Sequence, residues 1–537
     1  MAFGKPVQGD DLPQRQIENH QSKIENWLQQ ASRPARRSPT NHNPSVSDAV
    51  LAMEPVYIFD LLEATRGQAS GLDTEAQFSR VCTDSRELRQ GDVFWALEGK
   101  NYDGHDFAAD ALRKGAAFCV VSHGKTDKVR GPKLAVDSTL AALGDLARWY
   151  RHHRESLVIG VTGSVGKTTT KEMIHAALSA THHGVRSERS FNNDLGLPLS
   201  LLGLEADHEY GVFELGASKI GDIRSLCEIA CPEVGVIPRV GISHLASFGS
   251  LDNIYQAKGE LLESLPPHGF AVLGGDDERM RQMAQRALCT SILVGEKQGS
   301  QLRATEVEVT AQRLRFVVDR KKFEIPGASR QHLTAALCAI AVAKEIGVEL
   351  PSILAGLQKF TVPPGRGRIE ACGAWTLIDD TYNANPTSMQ AACLSLAEWK
   401  ADGPKVFVTG DMLELGPDSE RYHAELGALA ASQKVDHLLA FGPHARDVAQ
   451  GAIAAGLSPH NIAECTELSI LQLTLECVLE PGAVITVKGS RGMQMERVVE
   501  WLKQQPQQGH EIIPPPHSAG RAGNGSGGKN PGRRAVA

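Results

Sequence analysis

The chain has 537 residues, which at roughly 150 residues per domain gives room for three to four units, each with its own core. Its apolar share of 42% and charged share of 22% are those of an ordinary globular protein. A formal net charge of −7 argues against a general nucleic-acid binder, whose footprint is basic. No run of ~18 apolar residues marks a membrane span and no apolar N-terminal segment marks a secretory signal, so a cytoplasmic location is expected. Ten cysteines are scattered without a CxxC pair. Cys227 and Cys231 stand one helical turn apart, but no second Cys/His pair follows to complete the four ligands of a structural zinc, and free thiols in a reducing compartment are expected.

In chain order, residues 1–55 are poor in large apolar side chains and rich in Gln, Asn, Ser, Pro and Arg. Such a segment cannot offset the entropy of ordering, so a disordered extension is expected, with one amphipathic pattern at Ile17, Ile24, Trp27 and Leu28. A small α/β domain is expected over 56–155. Leu157–Val161 then reads as a strand, followed by a helical pattern over 167–180 in which Met173, Ile174, Ala177 and Leu178 share one face. Further strands are expected at 211–214, 234–237 and 270–273, and a later set at 376–379, 406–409, 437–441 and 483–487. Strands spaced by helices imply parallel α/β sheets that bind ligands at the strands' C-terminal ends. The expected central unit runs over 156–361 and a second α/β unit over 362–513. The Pro/Gly-rich stretch 363–368 is the expected hinge, and the tail 514–537 is expected to be disordered.

Between the strand ending at Val161 and its helix lies Thr162-Gly-Ser-Val-Gly-Lys-Thr-Thr-Thr170. Glycines let backbone N–H groups fold around phosphate oxygens, and the helix N-terminus adds partial positive charge. Gly163, Ser164, Val165, Gly166, Lys167, Thr168 and Thr169 are therefore the candidate triphosphate contacts, with Lys167 on the β/γ-phosphates and a threonine hydroxyl on Mg²⁺. With Gly166 and Lys167 fixed, the first glycine of the full consensus falls at Val161, so the loop is a shorter variant. It implies nucleoside triphosphate binding, without separating ATPase, GTPase, kinase and ligase.

Other motifs follow in a fixed order. They are Phe191-Asn-Asn-Asp-Leu-Gly-Leu-Pro198, Phe213-Glu-Leu-Gly-Ala217, His244 through Ser250, and Ala257-Lys-Gly-Glu260. Beyond the hinge stand Asp379-Asp-Thr-Tyr-Asn-Ala-Asn-Pro386, Gly410-Asp-Met-Leu-Glu-Leu-Gly416 with His423, and Val487-Lys-Gly-Ser-Arg-Gly-Met493. Near the N-terminus are Asp84-Ser-Arg86, Gly91-Asp-Val-Phe94 and Asp103-Gly-His-Asp-Phe107. This order resembles the Mur ligase family over roughly 57–505, and the segment from Asp379 to Pro386 resembles its D-alanyl-D-alanine-adding branch. An Asp-Asn-Pro-Arg motif, usual in the diaminopimelate-adding branch, is absent.

The resemblance implies three α/β domains: an N-terminal UDP-binding domain, a central phosphate-loop domain with a parallel sheet, and a Rossmann-like C-terminal domain taking the incoming dipeptide. The implied activity is ATP-dependent ligation of D-alanyl-D-alanine to UDP-N-acetylmuramoyl-tripeptide, through an acyl phosphate, to a peptidoglycan precursor. A carboxylate does not react with an amine at neutral pH, so it is first phosphorylated, and two mutually repelling anions must be brought together by cations. Two Mg²⁺ ions are implied, held by Thr168, Glu214, His244 and Lys258, the last as a carbamate. Taken singly, Glu214 also reads as a solvated strand-end carboxylate, His244 as a loop histidine and Lys258 as an exposed helix lysine. Arg368 is expected to reach the γ-phosphate and Asp380 the ribose. Ser85, Arg86, Asn192 and Asn193 are assigned to the UDP substrate, and Asn383, Asn385, Lys488, Ser490 and Arg491 to the dipeptide and cleft. No nucleic-acid partner is implied, and a monomer is expected.

Some positions depart from the family pattern. His332 and Ala335 stand where asparagines are usual, Gly274 stands where another is usual, and Pro238-Arg239 replaces a Thr-Asn pair. The resemblance implies that His332, Ala335 and Gly274 lie on the adenine side, so altered adenine contacts with intact phosphate chemistry are expected. Two other readings stay open: another ligase on the same scaffold, diaminopimelate-adding or folylpolyglutamate synthase-like, and a non-catalytic nucleotide-dependent scaffold.

Overall fold

The computed structural model describes residues 52–505, apart from Lys100, Arg189, Ala311 and Gln312. The amphipathic pattern around Ile17 to Leu28 and the tail 514–537 lie outside the described residues. Among those described, no helix is long and apolar enough to cross a membrane, and all ten cysteines are free.

The first unit is a six-stranded sheet of β1 (Ala52–Tyr57), β2 (Gln68–Ser70), β3 (Gln77–Cys82), β4 (Val93–Trp95), β5 (Phe118–Ser122) and β6 (Lys133–Val136). Its order is β1-β3-β4-β5-β6-β2, with parallel inner pairs and antiparallel edges. Helix α1 (Thr139–His152) covers it, and Trp95 Nε1 donates to Thr139 O at 2.6 Å. The end of α1 ties this unit to the next. Arg151, 1% exposed, donates to both Glu233 oxygens at 2.7 and 2.9 Å and to Ala230 O at 3.1 Å.

The central sheet contains β7 (Leu157–Val161), β8 (Gly184–Arg186), β9 (Tyr210–Glu214), β10 (Val234–Ile237), β11 (Phe270–Gly274), β12 (Thr290–Gly295) and β13 (Leu302–Arg303). All its pairings are parallel, in the order β13-β12-β11-β10-β7-β9-β8. β7, β9, β10 and β11 are buried along their whole lengths, and so they read as unbroken apolar runs rather than alternating ones. Helix α2 (Lys167–Leu178) follows β7, and α3 (Leu245–Phe248) and α4 (Leu251–Glu263) follow β10. A three-stranded antiparallel sheet of β14 (Thr305–Val309), β15 (Arg313–Val318) and β16 (Lys321–Pro326) comes next, which the apolar-run pattern did not single out. It leads to α5 (Leu333–Glu345), buried continuously from Ala335 to Ala343 and packed on α2.

The C-terminal sheet holds β17 (Arg368–Cys372), β18 (Trp375–Asp380), β19 (Lys405–Gly410), β20 (His437–Phe441), β21 (Ile462–Cys465) and β22 (Val484–Lys488), ordered β17-β18-β22-β19-β20-β21. All pairs are parallel except β17 with β18, an edge hairpin that begins immediately after the expected hinge. Helix α6 (Pro386–Ala397) follows β18.

Candidate active site

β7 lies between β10 and β9, so the chain leaves its C-terminal end at the point where the strand order diverges, which opens a crevice. The loop that follows is built for close approach. Gly163 and Gly166 have φ of 147° and 89°, a region disfavoured for side chains, and a Cβ on Gly163 would lie 2.8 Å from Arg239 O. Ser164 N donates to Arg239 O at 2.9 Å, and Lys167 Nζ donates to Gly163 O at 2.7 Å, curling the lysine over the loop. The C-terminal ends of β18 and β22 face this crevice from the C-terminal sheet. Between them is a cavity of about 1090 Å³ lined by the phosphate loop, Asn192, Asn193, Glu214, His244, Arg366, Asp380, Asn383, Asn385 and Lys488 among others.

Glu214 ends β9 directly beside Val161 and is 1% exposed. Neither of its carboxylate oxygens has a hydrogen-bond partner among the described residues. Lys171 Nζ stands 3.2 Å from Oε1, at ion-pair distance but without hydrogen-bond geometry, and donates instead to Ser187 O at 2.7 Å. A buried carboxylate left in this state fits a cation ligand. Lys171 escaped the sequence reading, although its i+4 spacing from Lys167 on α2 puts both on the same helix face.

Lys258, on α4, is 2% exposed and forms no hydrogen bond or ion pair among the described residues. Burial, reinforced by the Lys167 charge, lowers its pKa to about 7 against the pull of Asp222 and Glu260. It lies outside the residues that line the cavity surface. Lys167 itself is pushed below the usual lysine range by burial, and Arg366 pushes it further while Glu214 opposes. His244 precedes α3 in a left-handed conformation, φ 49°, and its Nδ1 contacts the Glu414 carboxylate of the third unit.

The arginine that reaches the cavity is Arg366, not Arg368. Arg368 is the first residue of β17, where strand alternation puts its side chain on the same face as Glu370, and the two pair at 2.8 Å. Arg366, two residues earlier in the hinge, lies 3.5 Å over the Tyr382 ring, with NH2 3.5 Å from Ser190 Oγ. Tyr382 OH is in turn 2.8 Å from Ser190 Oγ. Burial lowers the Arg366 pKa, opposed by Tyr382, Glu214 and Asp380.

The remaining expected residues divide. Asp380 and Lys488 line the cavity as a pair, 2.8 Å apart, and Lys488 also donates to Asn383 O at 2.8 Å. Asn385 caps α6, its Oδ1 accepting from Ser388 N at 2.8 Å, and Asn383 Oδ1 accepts from Ala384 N at 2.9 Å, so both carbonyl groups are already engaged. Ser490 and Arg491 do not line the cavity: Ser490 Oγ holds Leu413 N at 2.9 Å, and Arg491 pairs with Glu496 at 3.2 Å. Ser85 and Arg86 belong to the first unit away from this cavity, with Arg86 paired to Asp84. His332 and Ala335 do line the cavity, but His332 is a structural tie: Nδ1 accepts from Ser329 N at 2.8 Å and Nε2 donates to Arg366 O at 2.6 Å.

Three family models match the chain in succession: the Mur ligase family catalytic domain over 77–151, the Mur ligase middle domain over 161–343, and the Mur ligase glutamate ligase domain over 367–491. The UDP-N-acetylmuramoyl-tripeptide–D-alanyl-D-alanine ligase of Escherichia coli is 34% identical over 466 residues, covering 84% of this chain and 99% of the relative. This chain belongs to the Mur ligase family. The structure of MurF from Acinetobacter baumannii superposes with a TM-score of 0.78 at 32% identity, covering 84% of this chain and all of that one. MurF from Thermotoga maritima, solved in complex with ADP, gives 0.71 at 28% identity, covering 80% and 98%. The three large sheets thus belong to the three domains of the Mur ligase architecture.

Proposed function

We propose that this Mur ligase joins D-alanyl-D-alanine to UDP-N-acetylmuramoyl-tripeptide with ATP, forming one amide bond and releasing ADP and phosphate. The observation that carries the reading is the meeting of Lys167, Arg366 and a buried Glu214 carboxylate that accepts no hydrogen bond among the described residues, in one interdomain cavity with the phosphate loop. The relatives' shared name supplies the substrates.

The loop amides and Lys167 hold the terminal phosphates against the N-terminus of α2. Arg366, held by the Tyr382 ring, places a planar cation where the γ-phosphoryl group and the tripeptide carboxylate approach. Transfer makes an acyl phosphate. Attack by the dipeptide amine then forms the C–N bond, breaks the bond between the acyl carbon and the bridging oxygen, and expels phosphate as the nitrogen loses its proton. Lys488 and Asp380, locked together across β22 and β18, form the C-terminal-domain wall of the cavity. Thr168, Glu214 and His244 are the donors suited to two Mg²⁺ ions, whose charge would offset the repulsion between the two anions. Lys258, an amine over the Phe248 ring with no hydrogen bond or ion pair among the described residues and a pKa lowered to about 7, is suited to capture CO₂ as a carbamate and add an anionic oxygen.

The test is phosphate release with ATP, UDP-N-acetylmuramoyl-tripeptide and D-alanyl-D-alanine, omitting each in turn and substituting diaminopimelate or glutamate for the dipeptide. Release should require all three and reject both substitutes. Release that ignores the dipeptide overturns the acceptor assignment, and ATP binding without release under any condition favours a scaffold.

A further inference from the structure

The loop 411–416 of the C-terminal domain has no task in the chemistry above, yet it reaches the central domain. The Glu414 carboxylate contacts His244 Nδ1, and Glu414 O accepts from Ala246 N at 3.0 Å. Both Glu414 and His244 are in left-handed backbone, φ 63° and 49°, a conformation that non-glycine residues keep only where their surroundings impose it. On the C-terminal side those surroundings are explicit. Met412 N donates to His423 Nε2 at 2.9 Å, Leu413 N to Ser490 Oγ at 2.9 Å, and Ser490 N to Asp411 O at 3.0 Å. His423 is itself fixed, with Nδ1 donating to Ser419 O at 2.7 Å. The C-terminal domain therefore presents Glu414 from a clamped loop to a histidine of the other domain.

An imidazole whose Nδ1–H is taken by a carboxylate exposes the Nε2 lone pair and has its ring plane fixed, the arrangement that orients metal-binding histidines. His244 lines the cavity with Glu214 and Lys167. We infer that Glu414 is a positioning residue for His244, so that the cation site is completed only when the C-terminal domain is docked. This rests on the reading of His244 as a Mg²⁺ ligand. The link makes cation binding and domain docking favour one another, since coupling between two equilibria is reciprocal. It would delay the cation-assisted phosphoryl transfer until the domain that carries the dipeptide site is in place. Both side chains are partly exposed, 41% and 61%, so the pair adds little to folding stability and its effect belongs in cation affinity.

The test is Mn²⁺ binding to the full chain, followed by electron paramagnetic resonance with a non-hydrolysable ATP analogue, beside the melting temperature of each variant. Glu414→Ala should weaken the affected Mn²⁺ site by about 10- to 100-fold with unchanged melting. Glu414→Gln, whose amide oxygen still accepts from Nδ1–H, should restore most of the affinity. His244→Ala serves as the control for the parent reading. If His244→Ala weakens Mn²⁺ binding and Glu414→Ala does not, the positioning role is overturned while the ligand role stands. If His244→Ala binds Mn²⁺ like the wild type, both readings fall.

Discussion

Replacing Lys258 by Met keeps the length of the side chain and removes its only titrating group. The amine is 2% exposed, and burial lowers its pKa to about 7, with the Lys167 charge adding to the shift. In the unfolded chain a lysine titrates near ~10.4. Below pH 7 both states carry the proton, and the native state bears the full cost of a buried ammonium. Between pH 7 and ~10.4 only the unfolded state holds it, so folding stability rises with pH. Integrating from pH 7 to 9, with the group half-titrated at the start, gives about 2 kcal/mol of stability gained by the wild type through this residue. Urea unfolding at both pH values, in carbonate-free buffer so that the amine stays unmodified, measures the gain for wild type and variant. Other titrating groups are common to the two proteins and cancel in the difference. Lys258→Met should lack the increment, with its disadvantage or advantage at pH 7 shifting by about 2 kcal/mol at pH 9. Parallel pH dependences would refute the argument, since the amine would then titrate alike in both states.

Arg366→Met should slow phosphate release by about 100- to 1000-fold in kcat, the scale of losing one preorganised charge contact, whereas Arg368→Met should change it by less than about 3-fold. Arg151→Ala leaves Glu233, 3% exposed, without its cation and should cost about 3–5 kcal/mol in urea unfolding. Gly274→Asn, which introduces the asparagine expected from the family resemblance, should destabilise by about 1–3 kcal/mol rather than tighten nucleotide binding, because a Cβ there would lie 2.2 Å from Pro238 O, a backbone atom. Melting and nucleotide titration of that variant check both halves.

The parallel sheets were readable because a strand buried on both faces is an uninterrupted apolar run, and β7, β10 and β20 begin and end where that pattern does. The antiparallel strands β14 to β16 were not. They are interleaved with Glu306, Glu308, Arg315 and Lys321, and no residue of β14 is fully buried, so no long unbroken apolar run announces them. At the site, the phosphate loop followed from its place between a strand and a helix, whereas Glu214 was expected from the family resemblance, because a strand-end position alone also reads as a solvated carboxylate. The roles of Asn385 and Ser490 did not, because a sequence shows a polar group but not the partner that already occupies it: Asn385 is spent on capping α6 and Ser490 on the 411–416 loop. The two hinge arginines differ only by where β17 begins, and an edge strand's first residue is the least legible boundary in a chain.

The charges around the cavity also bear on whether the protein only binds nucleotide. Lys171 and Lys488 have carboxylates at ion-pair distance, Glu214 and Asp380. Lys167 and Arg366 have none among the described residues, and burial is the leading cause that lowers the pKa of each. Cations removed from water without counter-charges oppose folding, and anions entering the cavity relieve that cost. A triphosphate on the loop would account for Lys167. It does not account for Arg366, which comes from the hinge to the other domain and is held against Tyr382 on that domain's side of the cavity. Nor does it account for Glu214, a carboxylate kept dry and without hydrogen bonds beside the same phosphates. A scaffold would need the loop alone. A second cation and a cation-seeking carboxylate, converging from different elements on the place where a γ-phosphoryl group would sit, are what the joining of two anions demands.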